Sequence, residues 1–172
     1  EILEGGGSDE SIIQSWRGFE GAQEAVKSNR MAIVSPTSHA YFDYDKAAIS
    51  MRKVYSFDPI HEGLSEKEKS LILGGECNMW SERAPMEIMD DRMFPRLLAM
   101  CEALWTNNER KDFEEFWLRV DNHYKILEDF GVKYGIEAEP LSINFIFNEE
   151  SNTYKASINT KEDDLEIKYK IN

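Results

Sequence analysis

Residues 70–75, Ser-Leu-Ile-Leu-Gly-Gly, decide the fold class of this chain. The unbroken apolar run, closed by two glycines, is typical of a strand that is buried in a parallel sheet. A helix is predicted to follow from Phe94 to about Trp105, with Pro95 in its first turn. We expect its apolar face to consist of Leu97, Leu98, Cys101, Leu104 and Trp105.

The sequence before this stretch repeats the alternation of strand and helix. Residues 12–16 predict a short strand that ends near Gly18, and residues 31–34 predict a second strand without polar interruption. Between them lies a predicted helix whose apolar stripe is formed by Ala22, Ala25 and Val26. Strands that alternate with helices are typical of an α/β fold with a parallel sheet.

The number of predicted strands limits how much of such a fold is present. A closed (β/α)8 barrel needs eight strands and typically about 250 residues, whereas only three strands are visible here. We therefore expect residues 1–108 to be the later strands and helices of a TIM barrel, a partial barrel whose beginning lies upstream. Residues 41–69 form a segment too long for a simple connector, which indicates a functional loop.

The periodicity changes after residue 108. Residues 109–135 predict an amphipathic helix that packs on the barrel and ends at Gly131 or Gly135. Residues 136–172 predict a small β segment, which could open a truncated C-terminal domain. The helix stripe contains Phe113, Phe116, Trp117, Val120, Tyr124, Leu127 and Phe130, and the β alternation involves Ile143, Phe145 and Phe147 and then Leu165, Ile167, Tyr169 and Ile171.

Composition excludes several classes of partner and cofactor. The 172 residues include 41% hydrophobic and 12% aromatic residues, which is typical of a globular chain, and the formal net charge of -13 argues against nucleic-acid binding. No apolar stretch approaches the roughly 18 residues that span a bilayer. Because the three histidines and two cysteines are scattered, we expect no metal site, no disulfide framework and no cofactor. A nucleophilic pair of Cys77 and His39 is a weak alternative.

Five aromatic and acidic residues follow the three predicted strands. Trp16 follows the first strand, Tyr41 and Asp43 the second, and Trp80 and Glu82 the third. In parallel α/β barrels, functional side chains lie at the carboxyl ends of the strands. An indole face packs on the C–H face of a pyranose, and carboxylates accept hydrogen bonds from its hydroxyls. Each residue alone has a purely structural explanation, but together they favour a sugar pocket.

A series of ordered motifs resembles the C-terminal part of the catalytic domain of family 20 glycoside hydrolases, the β-N-acetylhexosaminidases. The resemblance covers roughly residues 1–108, and its strength comes from the order of the motifs. These are Ile13-Gln14-Ser15-Trp16, Tyr41-Phe42-Asp43-Tyr44, Tyr55-Ser56-Phe57-Asp58-Pro59, Leu73-Gly74-Gly75-Glu76-Cys77-Asn78-Met79-Trp80-Ser81-Glu82, Phe94-Pro95-Arg96-Leu97-Leu98-Ala99 and Glu102-Ala103-Leu104-Trp105.

The resemblance implies a role for each matching position. Trp16 and Trp80 would wall the pocket for a terminal N-acetylhexosamine, Tyr41 would bond its 2-acetamido group, and Asp43 and Glu82 would hold hydroxyls around positions four and six. The implied reaction is substrate-assisted retaining hydrolysis, in which the acetamido oxygen attacks the anomeric carbon. The implied partner is an N-acetylhexosamine-terminated glycan, and the implied location is extracytoplasmic.

The chain departs from the family pattern at the catalytic pair. The family carries an Asp-Glu pair in a His-x-Gly-Gly-Asp-Glu motif, which does not occur in this sequence. We therefore expect the isolated fragment to be inactive, because losing general-acid catalysis costs roughly a hundred- to ten-thousandfold. Family members also often carry a Trp where this chain offers only Met51.

Three hypotheses remain at this point. The first is a fragment of an exo-acting β-N-acetylhexosaminidase, and the alternative is a non-catalytic glycan-binding or scaffolding domain. An upstream His-x-Gly-Gly-Asp-Glu motif would support the first. A plain structural domain explains the helix at 109–135 but not the strand-end residues. Because a partial barrel leaves strand edges unpaired, which invites self-association, we also expect the isolated fragment to dimerise or to be marginally folded.

Overall fold

The computed structural model describes residues 3–5, 7–8, 10–106, 109, 111–135, 142–148 and 151–159. The chain divides into two compact units, Glu1–Ile136 and Glu137–Asn172. In chain order the elements are β1 (Ile13–Ser15), α1 (Glu20–Lys27), β2 (Ala32–Val34), α2 (Met51–Tyr55), α3 (Glu66–Lys69), β3 (Ile72–Gly75), a 3₁₀ turn (Met86–Ile88), α4 (Met89–Met93), α5 (Arg96–Trp105), α6 (Phe113–Asp129), β4 (Ser142–Asn148) and β5 (Thr153–Asn159).

The first unit contains a three-stranded parallel sheet in the order β1-β2-β3. Ala32 lies in register with Ile13 on one side and with Ile72 on the other. The parallel α/β arrangement predicted from the alternating pattern is therefore confirmed for these strands. Because the strands are parallel, their carboxyl ends meet at the same edge of the sheet, and the loops that follow them start side by side.

One face of this sheet is buried by the predicted apolar positions. Ala32 and Val34 of β2 are fully buried, and the α1 residues Ala22, Ala25 and Val26 belong to the same core cluster. The helical stripe predicted for α1 is confirmed. This packing fixes β1 and β2 as the rigid base from which the later loops project.

The prediction that the third strand is buried is wrong for part of its length. Ile72 packs against the core, but Leu73 is 51% exposed. Successive side chains of a strand point to opposite faces, so Leu73 lies on the face opposite Ile72. Moreover, β3 is an edge strand of the described sheet and has one neighbour in it. The apolar run indicated a strand correctly, but burial depends on what covers each face.

Glycine is required at the two positions that end β3 for different structural reasons. Gly74 has a φ of +133°, which non-glycine residues rarely adopt. A Cβ at Gly75 would lie 2.5 Å from Cε1 of Phe57, so this position has room only for a hydrogen atom. The glycine pair thus lets β3 end against Phe57 and lead into the loop that follows.

The long segment 41–69 contains two short helices that periodicity did not predict. The α2 helix begins after Ser50, whose side chain accepts a hydrogen bond from the backbone N–H of Lys53. Ser65 and Glu68 form a reciprocal capping box at the start of α3. Helices of five and four residues are too short to show a repeating apolar pattern, although the serine caps mark their starts.

The predicted apolar face of α5 is wrong for Cys101 and Trp105, whereas Leu97, Leu98 and Leu104 pack against the core. The buried residues are Arg96, Ala99, Met100 and Ala103, whereas Cys101 is exposed. Trp105 is 89% exposed, and Leu97, Leu98 and Leu104 are half-buried. This helix carries apolar residues around most of its circumference, so the pattern alone could not select the buried side. The helix also begins at Arg96 and not at Phe94, with Pro95 as its N-terminal cap residue.

The α6 helix follows the predicted stripe except at its end. Asp112 caps its start by accepting hydrogen bonds from the N–H groups of Glu114 and Glu115. Gly131, with a φ of +72°, follows its C-terminal cap residue. Phe116, Val120 and Leu127 are buried, Phe113, Trp117 and Tyr124 are half-buried, and Phe130 is 79% exposed because it lies at the cap, where the chain leaves the helix.

The second unit contains an antiparallel hairpin of β4 and β5. The predicted alternation around Phe145 and Phe147 is confirmed as β4. The pairing of Phe147 with Tyr154 brings their ring centroids to 4.8 Å. β5 was not predicted, and the strand expected around Leu165 to Ile171 lies outside the described residues. Within the described part of the chain, no helix combines the length and apolar character needed to cross a bilayer.

Candidate functional site

A cavity of about 460 Å³ lies beyond the carboxyl ends of the three parallel strands. Its lining includes all five residues that the sequence predicted for a site: Trp16, Tyr41, Asp43, Trp80 and Glu82. The residues are brought together from three loops separated by up to 66 positions in sequence. Gln14, Tyr44, Asn78 and Arg83 complete the lining.

Backbone pairing continues past the strand ends and holds two of the loops together. The N–H of Phe42 donates to the carbonyl of Asn78 at 2.8 Å, and the N–H of Asn78 donates to the carbonyl of Ala40 at 2.7 Å. These bonds form an isolated parallel bridge between Tyr41 and Asn78. The bridge fixes Tyr41 beside the segment that carries Trp80.

Aromatic rings form a continuous series along one side of the cavity. The ring centroids of Trp16 and Tyr41 lie 6.5 Å apart, and those of Tyr41 and Tyr44 lie 5.8 Å apart. The guanidinium of Arg83 lies over the Tyr44 ring, 4.5 Å from its centroid. Trp16 is 44% exposed and Trp80 is 50% exposed, so both indoles offer area to a ligand.

Asp43 combines burial with an unused acceptor. The residue is 4% exposed, and its Oδ1 atom has no hydrogen-bond partner among the described residues. The Nδ2 donor of Asn78 is in the same situation within that part of the chain. Buried polar groups are almost always hydrogen-bonded, since leaving one unpaired costs about 1–3 kcal/mol. Both residues also line the cavity.

Tyr41 is kept in its protonated form. Burial is the main cause that raises the pKa of the Tyr41 phenol, and the negative charge of Asp43 raises it further. A hydrogen bond with the Trp80 side chain acts in the opposite direction on this pKa, and the net direction is upward. The phenol therefore keeps its O–H as a donor at neutral pH.

The rim of the cavity carries charges of both signs. Glu82 and Arg83 are adjacent in sequence, and both are exposed residues of the cavity lining. Glu82 has the same sign of charge as Asp43, but Asp43 is buried. Two carboxylates, one guanidinium, two amides and two phenols provide hydrogen-bond acceptors and donors around exposed aromatic faces. This combination suits a neutral polyhydroxylated ring with an apolar C–H face.

Four lining residues were missed by reasoning from the sequence. Gln14 and Asn78 each lie two positions before a predicted tryptophan, so strand alternation would have placed them near the same face. The side-chain amide of Gln14 donates to Ser35 Oγ at 3.1 Å and to the Glu76 carboxylate. Tyr44 and Arg83 adjoin predicted residues but gave no separate signal, because their mutual contact depends on the tertiary structure.

The structure does not support the alternative nucleophilic pair of Cys77 and His39. Burial raises the pKa of the Cys77 thiol, which disfavours a nucleophilic thiolate. His39 lines a different cavity of about 290 Å³, which it shares with His61. Met51 is fully buried in α2 and does not line the larger cavity. In the residues that the structure describes, no group of three or more His, Cys, Asp or Glu side chains could hold a metal ion.

Comparisons with known proteins agree on one family. The model of the glycosyl hydrolase family 20 catalytic domain matches residues 1–108. A beta-hexosaminidase of Porphyromonas gingivalis is 34% identical over 149 residues, which cover 79% of this chain and 19% of that protein. The human beta-hexosaminidase subunit beta is 29% identical over 140 residues, which cover 81% of this chain and 24% of the human subunit.

Solved structures are similar over most of this chain. The GH20 exo beta-N-acetylglucosaminidase from Vibrio harveyi, solved with N-acetylglucosamine, has a TM-score of 0.68 at 26% identity and covers 76% of this chain and 22% of its own. The chitobiase of Flavobacterium johnsoniae has a TM-score of 0.62 at 33% identity and covers 73% and 20%. The chain thus spans about a fifth to a quarter of the length of these relatives.

Proposed function

The chain belongs to glycosyl hydrolase family 20, and we propose that it is part of an exo-acting β-N-acetylhexosaminidase that removes terminal N-acetylhexosamine from glycans. Of the four relatives named above, two are beta-hexosaminidases, one is a beta-N-acetylglucosaminidase and one is a chitobiase. The proposal includes the fold: the three parallel strands and their helices are the later part of a (β/α)8 barrel, residues 109–135 pack on it, and residues 136–172 are a separate small β segment.

The observation that carries the proposal is the cavity that unites Trp16, Tyr41, Asp43, Trp80 and Glu82. A saccharide ring needs an aromatic platform and several hydrogen-bond acceptors at one place. The buried, unused acceptor of Asp43 makes a hydroxylated ligand more favourable than an apolar one, because an apolar ligand would leave that acceptor unpaired.

We assign the following roles to the five residues. The indoles of Trp16 and Trp80 wall the sugar ring, with Trp80 beneath its C–H face. Asp43 and Glu82 accept hydrogen bonds from hydroxyls around positions four and six. The O–H of Tyr41 donates to the 2-acetamido group. In this arrangement the bound ring is the sugar at the non-reducing end of the glycan, as an exo-acting enzyme requires.

The reaction proposed is substrate-assisted and retains the anomeric configuration. The acetamido oxygen attacks the anomeric carbon, the glycosidic C–O bond breaks, and the departing oxygen takes a proton from an acid. Charge builds on the acetamido group as the oxazolinium-like intermediate forms. This charge is positive, so it does not strengthen a hydrogen bond donated by Tyr41. The O–H of Tyr41 instead lowers the barrier by holding the acetamido oxygen in position to attack the anomeric carbon.

The acid and the Asp that orients the acetamide are not supplied by this chain in the proposal. The sequence contains no His-x-Gly-Gly-Asp-Glu motif. We propose that the rest of a longer protein provides both carboxylates and that the isolated 172-residue chain is inactive and self-associates. We also propose an extracytoplasmic location. Turnover by the isolated chain comparable to that of the full-length protein would contradict the first of these statements.

The test is an assay of the full-length protein with an aryl N-acetyl-β-glucosaminide and, as a control, the matching aryl β-glucoside. The proposal expects release of nitrophenol from the first substrate alone, because only that substrate carries the acetamido nucleophile. Cleavage of neither substrate by folded protein would favour the non-catalytic glycan-binding or scaffolding alternative. Cleavage of both at similar rates would contradict the substrate-assisted mechanism.

A further inference from the structure

A charged side chain lies fully buried behind the cavity without lining it. Arg96, the first residue of α5, has no exposed surface, and the cavity lining does not include it. Burying a guanidinium is costly unless several acceptors receive its N–H groups. The acceptors that this arginine uses are therefore informative about what it holds in place.

The acceptors are backbone carbonyls of the loop that carries Asp43. Nη2 of Arg96 donates to the carbonyl of Phe42 at 2.5 Å, and Nη1 donates to the carbonyls of Ile49 at 3.1 Å and Tyr44 at 3.3 Å. Phe42 and Tyr44 are the residues directly before and after Asp43. One guanidinium thus holds the backbone on both sides of the buried carboxylate.

The other end of the guanidinium is anchored to the preceding helix. Nε of Arg96 donates to the carbonyl of Arg92 at 2.8 Å, and Nη2 also contacts this oxygen. The guanidinium carbon lies 4.9 Å from the centroid of the Phe42 ring, which is itself 1% exposed. Because Arg presents a rigid planar fork of donors, it links α4 to the loop with a defined geometry that a flexible ammonium group would not reproduce.

Two ion pairs connect the same two elements. Arg92 pairs with Asp45 at 3.0 Å, and Asp91 pairs with Lys46 at 2.9 Å. Both contacts run from α4 to the positions that follow Tyr44. They are partly exposed, so each contributes little alone, but they act in the same direction as the buried bonds of Arg96.

From these contacts we propose that Arg96 is a positioning residue: it fixes the loop at 42–49 so that the carboxylate of Asp43 is held ready for a ligand hydroxyl. The inference rests on the proposed function, since it takes Asp43 to bind a sugar hydroxyl. It adds a residue that touches no ligand yet determines ligand affinity. A displacement of about 1 Å in a positioned group can cost roughly a hundredfold in rate, so loosening this loop has a measurable effect.

The experiment is a double-mutant cycle in the full-length protein, with N-acetyl-D-glucosamine as the ligand and its dissociation constant as the readout. Arg96→Lys is expected to weaken binding about tenfold in the wild-type background. In an Asp43→Ala background the same substitution is expected to change binding by less than about twofold, because the group that it positions is gone. In a Glu82→Gln background the loss is expected to remain about tenfold.

Controls separate positioning from general destabilisation. Arg119→Lys removes a guanidinium that pairs with Glu102 at 2.7 Å on another part of the fold, and it is expected to leave binding unchanged. If Arg96→Lys does not fold, Asp45→Asn replaces it in the cycle, because Asp45 is 65% exposed at its side chain and tethers the same loop. For that variant we expect a loss of about threefold that depends on Asp43.

The outcomes distinguish the two levels of the proposal. A wild-type protein that does not bind N-acetyl-D-glucosamine contradicts the proposed function, and the inference fails with it. If the wild type binds but the loss is equal in the presence and absence of Asp43, or no loss occurs, the inference alone is overturned. A loss confined to backgrounds that retain Asp43 supports it.

Discussion

Two loops form most of the cavity, and the chain holds them in different ways. The loop at 40–49 is buried around its start: Phe42 is 1% exposed and Asp43 is 4% exposed, and the N–H of Phe42 donates to the carbonyl of Asn78. The loop at 76–83 carries Trp80, which is 50% exposed, and its local bonds to the Trp80 carbonyl are long, at 3.3 and 3.4 Å.

The two loops therefore contribute differently to the stability of the fold and to ligand recognition. Phe42 and Ile49 of the first loop belong to the core, so a change there alters both the folded state and the site. The indole of Trp80 is half in solvent, so a change there removes contact area for a ligand while the core stays packed. One side of the cavity is thus preorganised by the fold, and the other offers surface.

Phe42→Ala tests the buried loop and is expected to have the largest effect on stability. Removing a fully buried aromatic side chain costs about 3–5 kcal/mol of unfolding free energy, because it loses burial and leaves a cavity. We expect this loss in chemical denaturation of the full-length protein. The matched control is Phe130→Ala, since Phe130 is 79% exposed and its loss should stay within about 0.5 kcal/mol. Equal losses at both positions would show that the burial contrast is wrong.

Trp80→Ala tests the exposed side. We expect the affinity for N-acetyl-D-glucosamine to fall roughly 30-fold, about 2 kcal/mol, because the aromatic platform is lost. The unfolding free energy should change by less than about 1 kcal/mol. Trp105→Ala is the control, because Trp105 is 89% exposed on α5 and does not line the cavity. A similar loss of affinity in the control would exclude a specific role for Trp80.

The ionisation of Tyr41 gives the smallest and most local test. Burial and the charge of Asp43 raise the pKa of this phenol, so its O–H is present at neutral pH and is lost only as pH rises through the raised value. Stabilisation that depends on the neutral phenol is therefore fully present below the ordinary pKa of tyrosine and disappears above the raised pKa.

Ultraviolet difference titration against Tyr41→Phe measures this pKa. Asp43→Asn should lower the Tyr41 pKa but leave it above the ordinary value, because burial is the larger cause. Glu82→Gln is the control and should leave it unchanged, since Glu82 is not among the causes of the shift. A pKa that does not respond to Asp43→Asn would mean that the two side chains do not interact.

The site was more predictable than its surroundings. Trp16, Tyr41, Asp43, Trp80 and Glu82 could be named from the sequence because parallel strands place their carboxyl ends at one edge. Their roles remain proposals, but their common location is observed. Arg96 was part of a recognised motif, yet nothing in the motif indicated that it binds carbonyls some 50 positions earlier.

The errors in the fold prediction have two causes. The exposure of Leu73, and of Cys101 and Trp105 on α5, could not be inferred, because apolar residues on two sides of an element leave the choice of buried side to its neighbours. Short elements such as α2 could not be predicted from periodicity, because five residues form hardly more than one helical turn.

The sequence by itself determined the order β1-α1-β2-β3 followed by α5 and α6, the parallel arrangement of the first unit and which residues follow the strand ends. These follow from local patterns of apolar residues and turn signals, which act over a few positions. Only the tertiary structure decided that Asp43 is buried with an unused acceptor, that Asn78 pairs with its loop, and that Arg96 holds the backbone around it. Such contacts depend on long-range packing, because burial and hydrogen-bond partners are properties of neighbours that are distant in sequence.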